Sequence, residues 1–260
     1  MTTHGCVTLD KDGGIARVAL NRPAQMNAIS PELLEDLWGV CEEVEHDARV
    51  KVVTLTGAGR AFSAGADLRA VRELSPDSDR WAQFMALWHR VFNRVEALPQ
   101  PVIAGVHGVA LAGGLELVLV CDLAIADAEA RLGDQHAAFG LVAGGGGSQR
   151  LPRVVGPRRA KELMLLGEWL TAREALAWGL VNRVAPAGQL QAILDDVAGK
   201  LARLSASASR TAKGLVNRAA DLDLASGLAL EVESVARHMR CADAAEGLRA
   251  FAEKRAPAFS

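Results

Sequence analysis

Short strand-like runs and helix-like runs alternate along this sequence as far as about residue 195, and then the strands stop. Such alternation predicts an α/β core over residues 1–195 and a purely helical region over residues 196–260. "VTLDKDGGIARVALNRP" reads as two short strands around an Asp-Gly turn. Ser30 followed by Pro31 gives a helix cap and a proline at the first helical position. The helix they open runs to about Asp47, with Leu33, Leu34, Leu37, Val40, Cys41 and Val44 on one face. "VVTLTG", "PVIAGV", "LAIAD" and "GLVNRVAP" read as buried strands, and a helix is expected over roughly 79–98. Its Trp81, Phe84, Trp88, Val91, Phe92 and Val95 recur at steps of three and four, the spacing of a core-facing stripe. Thr171 and Glu174 form a capping-box pattern, and Gly179 marks that helix's end. Beyond residue 190 helices are expected, broken near Ser205–Ser209, Asp221–Asp223 and Asp243.

Composition narrows the function classes. The 260 residues are half hydrophobic, enough for a substantial core, and carry 29 basic against 31 acidic side chains, a net charge of −2. Nothing in that balance points to nucleic acid or to an anionic membrane surface. No run of about 18 uncharged apolar residues exists, so no membrane span is expected. The start of the chain, "MTTHGCVTLDKDGG", has no apolar signal core. Cys6, Cys41, Cys121 and Cys241 are scattered without a CxxC pair, which fits a reducing compartment and a cytoplasmic location. His4, His46, His89, His107 and His238 have no ligand-like neighbours, so no metal is expected.

The chemistry is concentrated in "ALAGGLELVLVCDLA", residues 110–124, an apolar run holding adjacent glycines and one glutamate, Glu116. A buried carboxylate is costly unless it is paired or hydrogen-bonded. "AFSAGADL" (61–68) and "LAGGLEL" (111–117) are loops of one type, each placing small residues just before a helix. A helix start presents unpaired N–H groups and partial positive charge, and small residues let a ligand oxygen reach them. Two such loops converging would form an oxyanion hole, where each donor is typically worth about 2.7–4 kcal/mol in the transition state. Glu116, in the first turn after Gly113, is placed to move protons beside that oxygen. "GGGG" at 144–147 lacks the Gly-Lys-Ser/Thr continuation of a phosphate loop and reads as a turn needing close backbone approach.

Taken together, "NRPAQMNAI", "AFSAGADL", "HGVALAGGLELVLVCDLAIA", "GGGGSQRLPRVVG" and "LTAREALAWGLVNRV" resemble the crotonase superfamily, the enoyl-CoA hydratase/isomerase family. The resemblance runs from about residue 7 to the terminal "FAEKRAPAF". It implies a spiral of ββα turns bearing the CoA-thioester site, then a helical trimerisation region. It also implies an acyl-CoA thioester partner, no cofactor beyond the CoA of the substrate, and a homotrimer or dimer of trimers. By the same resemblance the backbone N–H groups of Ala66 and Gly113 form the oxyanion hole, and Glu116 is the first catalytic glutamate. Ala24, Ala64, Asp67 and Leu68 line the path of the CoA adenine and pantetheine. Gly144 closes over the acyl group, and Lys254 meets a CoA phosphate.

One position departs from the family pattern. Its hydratases carry a second glutamate twenty residues after the first, and here that position is His136, in "GDQHAAFG". Adding water to an enoyl thioester needs one group to hold and deprotonate water and another to deliver the α-proton. Glu116 can serve one of these roles and His136 the other, since imidazole titrates near neutrality. Asp134 would orient the ring if the segment were extended; a solvated loop aspartate is the plainer alternative. His136 also admits a role as a pocket histidine that moves no proton. The expected function is therefore enoyl-CoA hydration or its reverse through a stabilised enolate. The alternatives are another crotonase-type reaction using His136 (thioester or β-diketone hydrolysis, decarboxylation, isomerisation) and a non-catalytic acyl-CoA-binding paralogue.

Overall fold

The computed structural model describes residues 2–259. A seven-stranded sheet runs in the order β1 (Thr2–His4), β2 (Val7–Asp12), β3 (Ile15–Leu20), β4 (Val52–Gly57), β5 (Val102–Val106), β7 (Leu123–Asp127) and β10 (Arg183–Ala185). Its first three strands pair antiparallel and the rest parallel. A three-stranded sheet holds β6 (Val109–Leu111), β8 (Arg131–Gly133) and β9 (Trp169–Thr171). Successive strands alternate between the two sheets. β5 in the large sheet leads to β6 in the small one and then to α4 (Gly113–Leu119); β7 leads to β8 and then to α5 (Gly147–Val155). The stretch after β4 follows the same course, with Ser63 bridging Ala110 of β6 before α2 (Leu68–Leu74). This is the expected spiral of ββα turns, and each turn delivers a strand-to-helix loop to the same edge.

The large sheet is covered on both faces, as parallel sheets require. Alternate residues point to opposite sides. Val18, Val53, Leu55, Val102 and Ala104 join the main core with α1 (Pro31–His46) and α3 (Ser78–Ala97), while Ile15, Val52, Ile103 and Ile125 meet α8 (Leu190–Ala202) on the other side. The Ser30 hydroxyl accepts from Leu33 N–H at the head of α1, and all six expected core residues of that helix are buried. Of the stripe on α3, Trp81 is only half-buried and the other five are buried. The Thr171–Glu174 capping box opens α7 (Ala172–Trp178), and Gly179 closes it in a left-handed conformation. The expected division at 195/196 falls inside α8, whose Leu190, Leu194, Val197 and Ala198 pack on the sheet, so the packed core runs on to the end of that helix.

Three further helices follow, α9 (Ala206–Ala219), α10 (Leu224–His238) and α11 (Ala242–Ala252), and between them they contribute one buried residue, Ala250. Val216, Leu224, Leu228, Val232, Val235, Leu248 and Phe251 are exposed, whereas Leu222 and Leu230 are half-buried. What ties α9 to the core is polar. Lys213 Nζ lies 2.7 Å from Asp122 Oδ2 and donates to Gln100 O at 3.0 Å, and Val102 N–H donates to the same Asp122 oxygen. The lysine side chain is 7 % exposed. Removing one member of a buried pair strands the other charge, at about 3–5 kcal/mol. Lys213→Ala is therefore expected to lower stability by about 3 kcal/mol in urea unfolding, and Lys213→Met with Asp122→Leu to recover part of it; an unchanged midpoint in the single variant would refute this account.

Candidate active site

Four stretches of backbone are fastened together where the spiral turns end. The Asn27 amide donates to Ala58 O and Ala61 O at 2.9 and 2.7 Å, the Ser63 hydroxyl donates to Asn27 O, and Ala64 N–H donates to Met26 O. Ile29 N–H donates to Gly65 O and Asp67 N–H donates to Ile29 O. These two bonds flank Ala66, so in a parallel pairing its own N–H faces away from Ile29. Gly65 lies at φ 91°, and a Cβ there would stand 2.8 Å from Leu111 O and 3.2 Å from Gly113 N. The two small-residue loops therefore touch.

Ala112 makes the turn into α4 at φ 49°, ψ −114°, a region that costs an L-residue about 1–3 kcal/mol. It is held there by its N–H on Gly133 O at 2.9 Å. The Gly113 N–H that follows opens the helix and has no intrahelical acceptor. Among the described residues neither it nor the Ala66 N–H donates to any protein oxygen. Both glycines are sterically required. A Cβ on Gly113 would stand 2.6 Å from Trp88 Cζ2, and one on Gly114 would strike the Ser63 backbone and lie 2.9 Å from its Cβ.

Glu116 is 2 % exposed. Its Oε1 accepts from Gly145 N–H and Gly147 N–H, both at 2.8 Å, while Oε2 takes no protein donor. Burial pushes its carboxyl pKa above the ordinary range; the Gly147 N–H, the His136 charge and the Gly145 N–H pull it part of the way back. The loop carrying those donors is clamped by Arg150. That guanidinium grips Glu96 through both carboxylate oxygens, donates to Asn93 Oδ1 at 2.7 Å and reaches Gly145 O.

His136 lies within electrostatic range of Glu116. The segment before it is not extended: Gln135 sits at φ 59°. That turn still brings Asp134 to the ring, because its carboxylate accepts His136 N–H at 3.2 Å and stands 3.0 Å from Nδ1, bent away from a straight hydrogen bond. Burial alone would lower the imidazole pKa. The Asp134 carboxylate and the Glu116 charge outweigh it and hold the ring above the usual value, so it keeps its proton to higher pH.

The other expected residues are spread around this cluster. Ala24 lies in a single turn, Pro23–Gln25, and Leu68 is 63 % exposed at the start of α2. Asp67 has structural duties: its carboxylate caps α2 and pairs with Arg22 at 2.8 Å. Its charge is thus committed within the protein. Gly144 is exposed against Met85, and the N–H groups on Glu116 come from Gly145 and Gly147 instead. Lys254 is exposed in the tail after α11, and no described hydrogen bond or ion pair joins its side chain to the cluster. The sequence reading missed Arg150 and the role of Trp88 at the site. Arg150 carried a usable signal, a cation four residues after Gly146 on a helix that the glycines open. Trp88 carried none, because its spacing is that of any core residue.

With this geometry in place, the relatives of the chain are informative. The family model for enoyl-CoA hydratase/isomerase matches residues 10–260. The chain belongs to the enoyl-CoA hydratase/isomerase family. It is 38 % identical over 250 residues to a short-chain-enoyl-CoA hydratase of Clostridium acetobutylicum, covering 96 % of this chain and 95 % of the relative. It is 35 % identical over 254 residues to a crotonyl-CoA hydratase of Syntrophomonas wolfei, covering 97 % of both. The crystal structure of an enoyl-CoA hydratase from Bacillus anthracis superposes with a TM-score of 0.93 at 38 % identity, over 98 % of both chains. As a member of that family the protein is an enzyme, and no described helix is long and apolar enough to cross a membrane.

Gly145 tests whether the glycine loop positions the carboxylate. Its φ is not in the left-handed region, so alanine is conformationally allowed. The added Cβ would stand 2.5 Å from Glu116 Oε2 and closer still to Trp88 Nε1. Gly145→Ala is expected to fold, by circular dichroism, and to lose acyl-CoA turnover by about 10²-fold or more. Wild-type turnover in that variant would show that the Glu116 geometry does not matter.

Proposed function

We propose that the protein adds water to short 2-enoyl-CoA thioesters, crotonyl-CoA first among them, and removes it in reverse. The observation that carries this reading is the division of labour on Glu116: Oε1 is fixed by two backbone N–H groups, and Oε2 takes no protein donor, on a carboxyl that feels the His136 charge. The activities named for the two relatives support it. In hydration, Oε2 takes a proton from water as the water oxygen bonds to the β-carbon. The C=C electron pair moves towards the thioester carbonyl, whose oxygen becomes an enolate received by the Ala66 and Gly113 N–H groups, our reading of the oxyanion hole. The imidazolium of His136 then gives its proton to the α-carbon. The sum is one water added, and the two groups reset by passing the proton from Glu116 back to His136. No cofactor or metal is needed beyond the CoA of the substrate, whose path we assign to Ala24, Ala64, Asp67 and Leu68, with Gly144 over the acyl group and Lys254 at a phosphate.

The Asp134–His136 contact favours one other reading, a histidine base that hydrolyses a thioester or β-diketone. The sign of the pH profile separates the two. An acid His136 loses its proton as pH rises, so hydration kcat/KM falls on the alkaline side, tenfold per unit, with a midpoint above about 6.5. The acid limb belongs to Glu116 and lies above the ordinary carboxylate value. Glu116→Gln is expected to lower kcat about 10²–10⁴-fold, and His136→Ala to remove the alkaline limb with most of the rate. No crotonyl-CoA turnover by the wild-type protein sinks the proposal, as does a His136→Ala variant with the wild-type rate and profile.

The exposed apolar residues of α9, α10 and α11 support assembly as a homotrimer or dimer of trimers, since surplus apolar surface normally marks an interface. The four free cysteines support a cytoplasmic site of action. Light scattering at micromolar concentration is expected to give a multiple of three times the 27.4 kDa chain mass; a monomer mass overturns the assembly.

A further inference from the structure

Trp88 is 3 % exposed, yet its indole N–H has no acceptor among the described residues. Buried donors are normally satisfied, and one left orphaned calls for an explanation. The ring cannot turn away to find a partner. It meets Phe84 edge-on, with centroids 5.5 Å apart at 79°, and Phe92 at 5.4 Å and 52°, while its Cζ2 abuts Gly113. The ring is therefore fixed by packing, with Nε1 beside Gly145 at the candidate site. Nε1 and Glu116 Oε2 crowd the same side of Gly145. One is a donor without an acceptor, and the other is an acceptor without a donor. A single oxygen that accepts from the indole and donates to the carboxylate would satisfy both at ordinary hydrogen-bond distances.

We propose that Trp88 is a substrate-binding residue whose N–H holds the β-oxygen, the attacking water before addition and the 3-hydroxyl group after it. This rests on the hydratase reading of the site. It gives the chain a second contact on that oxygen, beside Glu116 Oε2. It also makes Trp88 a selector for acyl groups oxygenated at the β-carbon.

The test compares two acyl-CoA ligands of equal chain length that the proposed reaction leaves intact, acetoacetyl-CoA with a β-oxygen and butyryl-CoA without one. Trp88→Phe keeps the stacked ring and deletes the N–H. Calorimetry is expected to show acetoacetyl-CoA binding weakened about five- to tenfold, the usual loss for one hydrogen bond, with butyryl-CoA changed less than about twofold. Equal weakening of both, or of neither, overturns the proposal. Because Trp88 is also a core residue, the native protein with 15N-labelled indoles supplies a second measurement, with signals assigned by Phe replacement of the other tryptophans. The Trp88 N–H resonance is expected to move downfield further with acetoacetyl-CoA than with butyryl-CoA, and an identical position in both complexes overturns the proposal. The hydratase reading fails separately: it falls if wild-type protein does not turn over crotonyl-CoA, whatever the two ligands do.

Discussion

A carboxylate taken out of water loses more than any one hydrogen bond returns, and Glu116 sits almost wholly out of water. Two backbone N–H groups on a single oxygen are the protein's answer, and most of the surrounding architecture exists to bring them there. Gly145 and Gly147 have to approach without side chains. Arg150 has to hold their loop against α3 through Glu96 and Asn93. The α4 helix has to begin three residues before the glutamate, so that the side chain emerges where the loop passes. The result is a carboxylate with one oxygen engaged and one available, which is what proton transfer at a fixed point requires.

Strain and close contact have been concentrated at the same place. Ala112 adopts a conformation that alanine disfavours, and it does so at the residue that aims the Gly113 N–H. The neighbouring loop around Ala66 is fixed by Asn27, Ser63 and the Arg22–Asp67 pair, all buried or half-buried polar groups with their bonds made. Donors that must meet a developing charge work best when they need not move to do so. For the oxyanion hole we propose, the polar scaffold behind Ala66 and Gly113 is what would provide that rigidity.

Much of this was legible in the sequence because it is governed by local rules. The alternation of strand and helix, the caps at Ser30 and Thr171, and the apolar face of α1 depend on neighbours within a few residues. So does the placing of small residues before helix starts, which points to the loops 61–68 and 111–117 and to Glu116; Ala66 and Gly113 themselves came from the family resemblance. Contacts across long separations were not legible. Nothing local says that Arg150 reaches Glu96, or that the Asp67 carboxylate is taken up by Arg22. Trp88 shows the limit most clearly. Its helical spacing correctly reads as core, yet the end of the same side chain faces the site, and one residue serves both. The Asp134–His136 contact, which the sequence ties to an extended segment with a solvated aspartate as the plainer alternative, arises from a left-handed turn at Gln135, where the carboxylate bonds the His136 backbone as well as facing the ring.

The alternation of strands between two sheets leaves very little strand edge. The large sheet ends in β1 and β10, each three residues long, and the small sheet is built wholly of three-residue strands. Short edges offer few unpaired backbone groups to another chain. Most of the exposed apolar residues lie instead on helices. Contacts made by helix faces, with their fixed crossing angles, close on themselves when a rotation brings the last copy back to the first. A chain built this way is biased towards assemblies of finite size and away from the open-ended stacking that exposed strands permit.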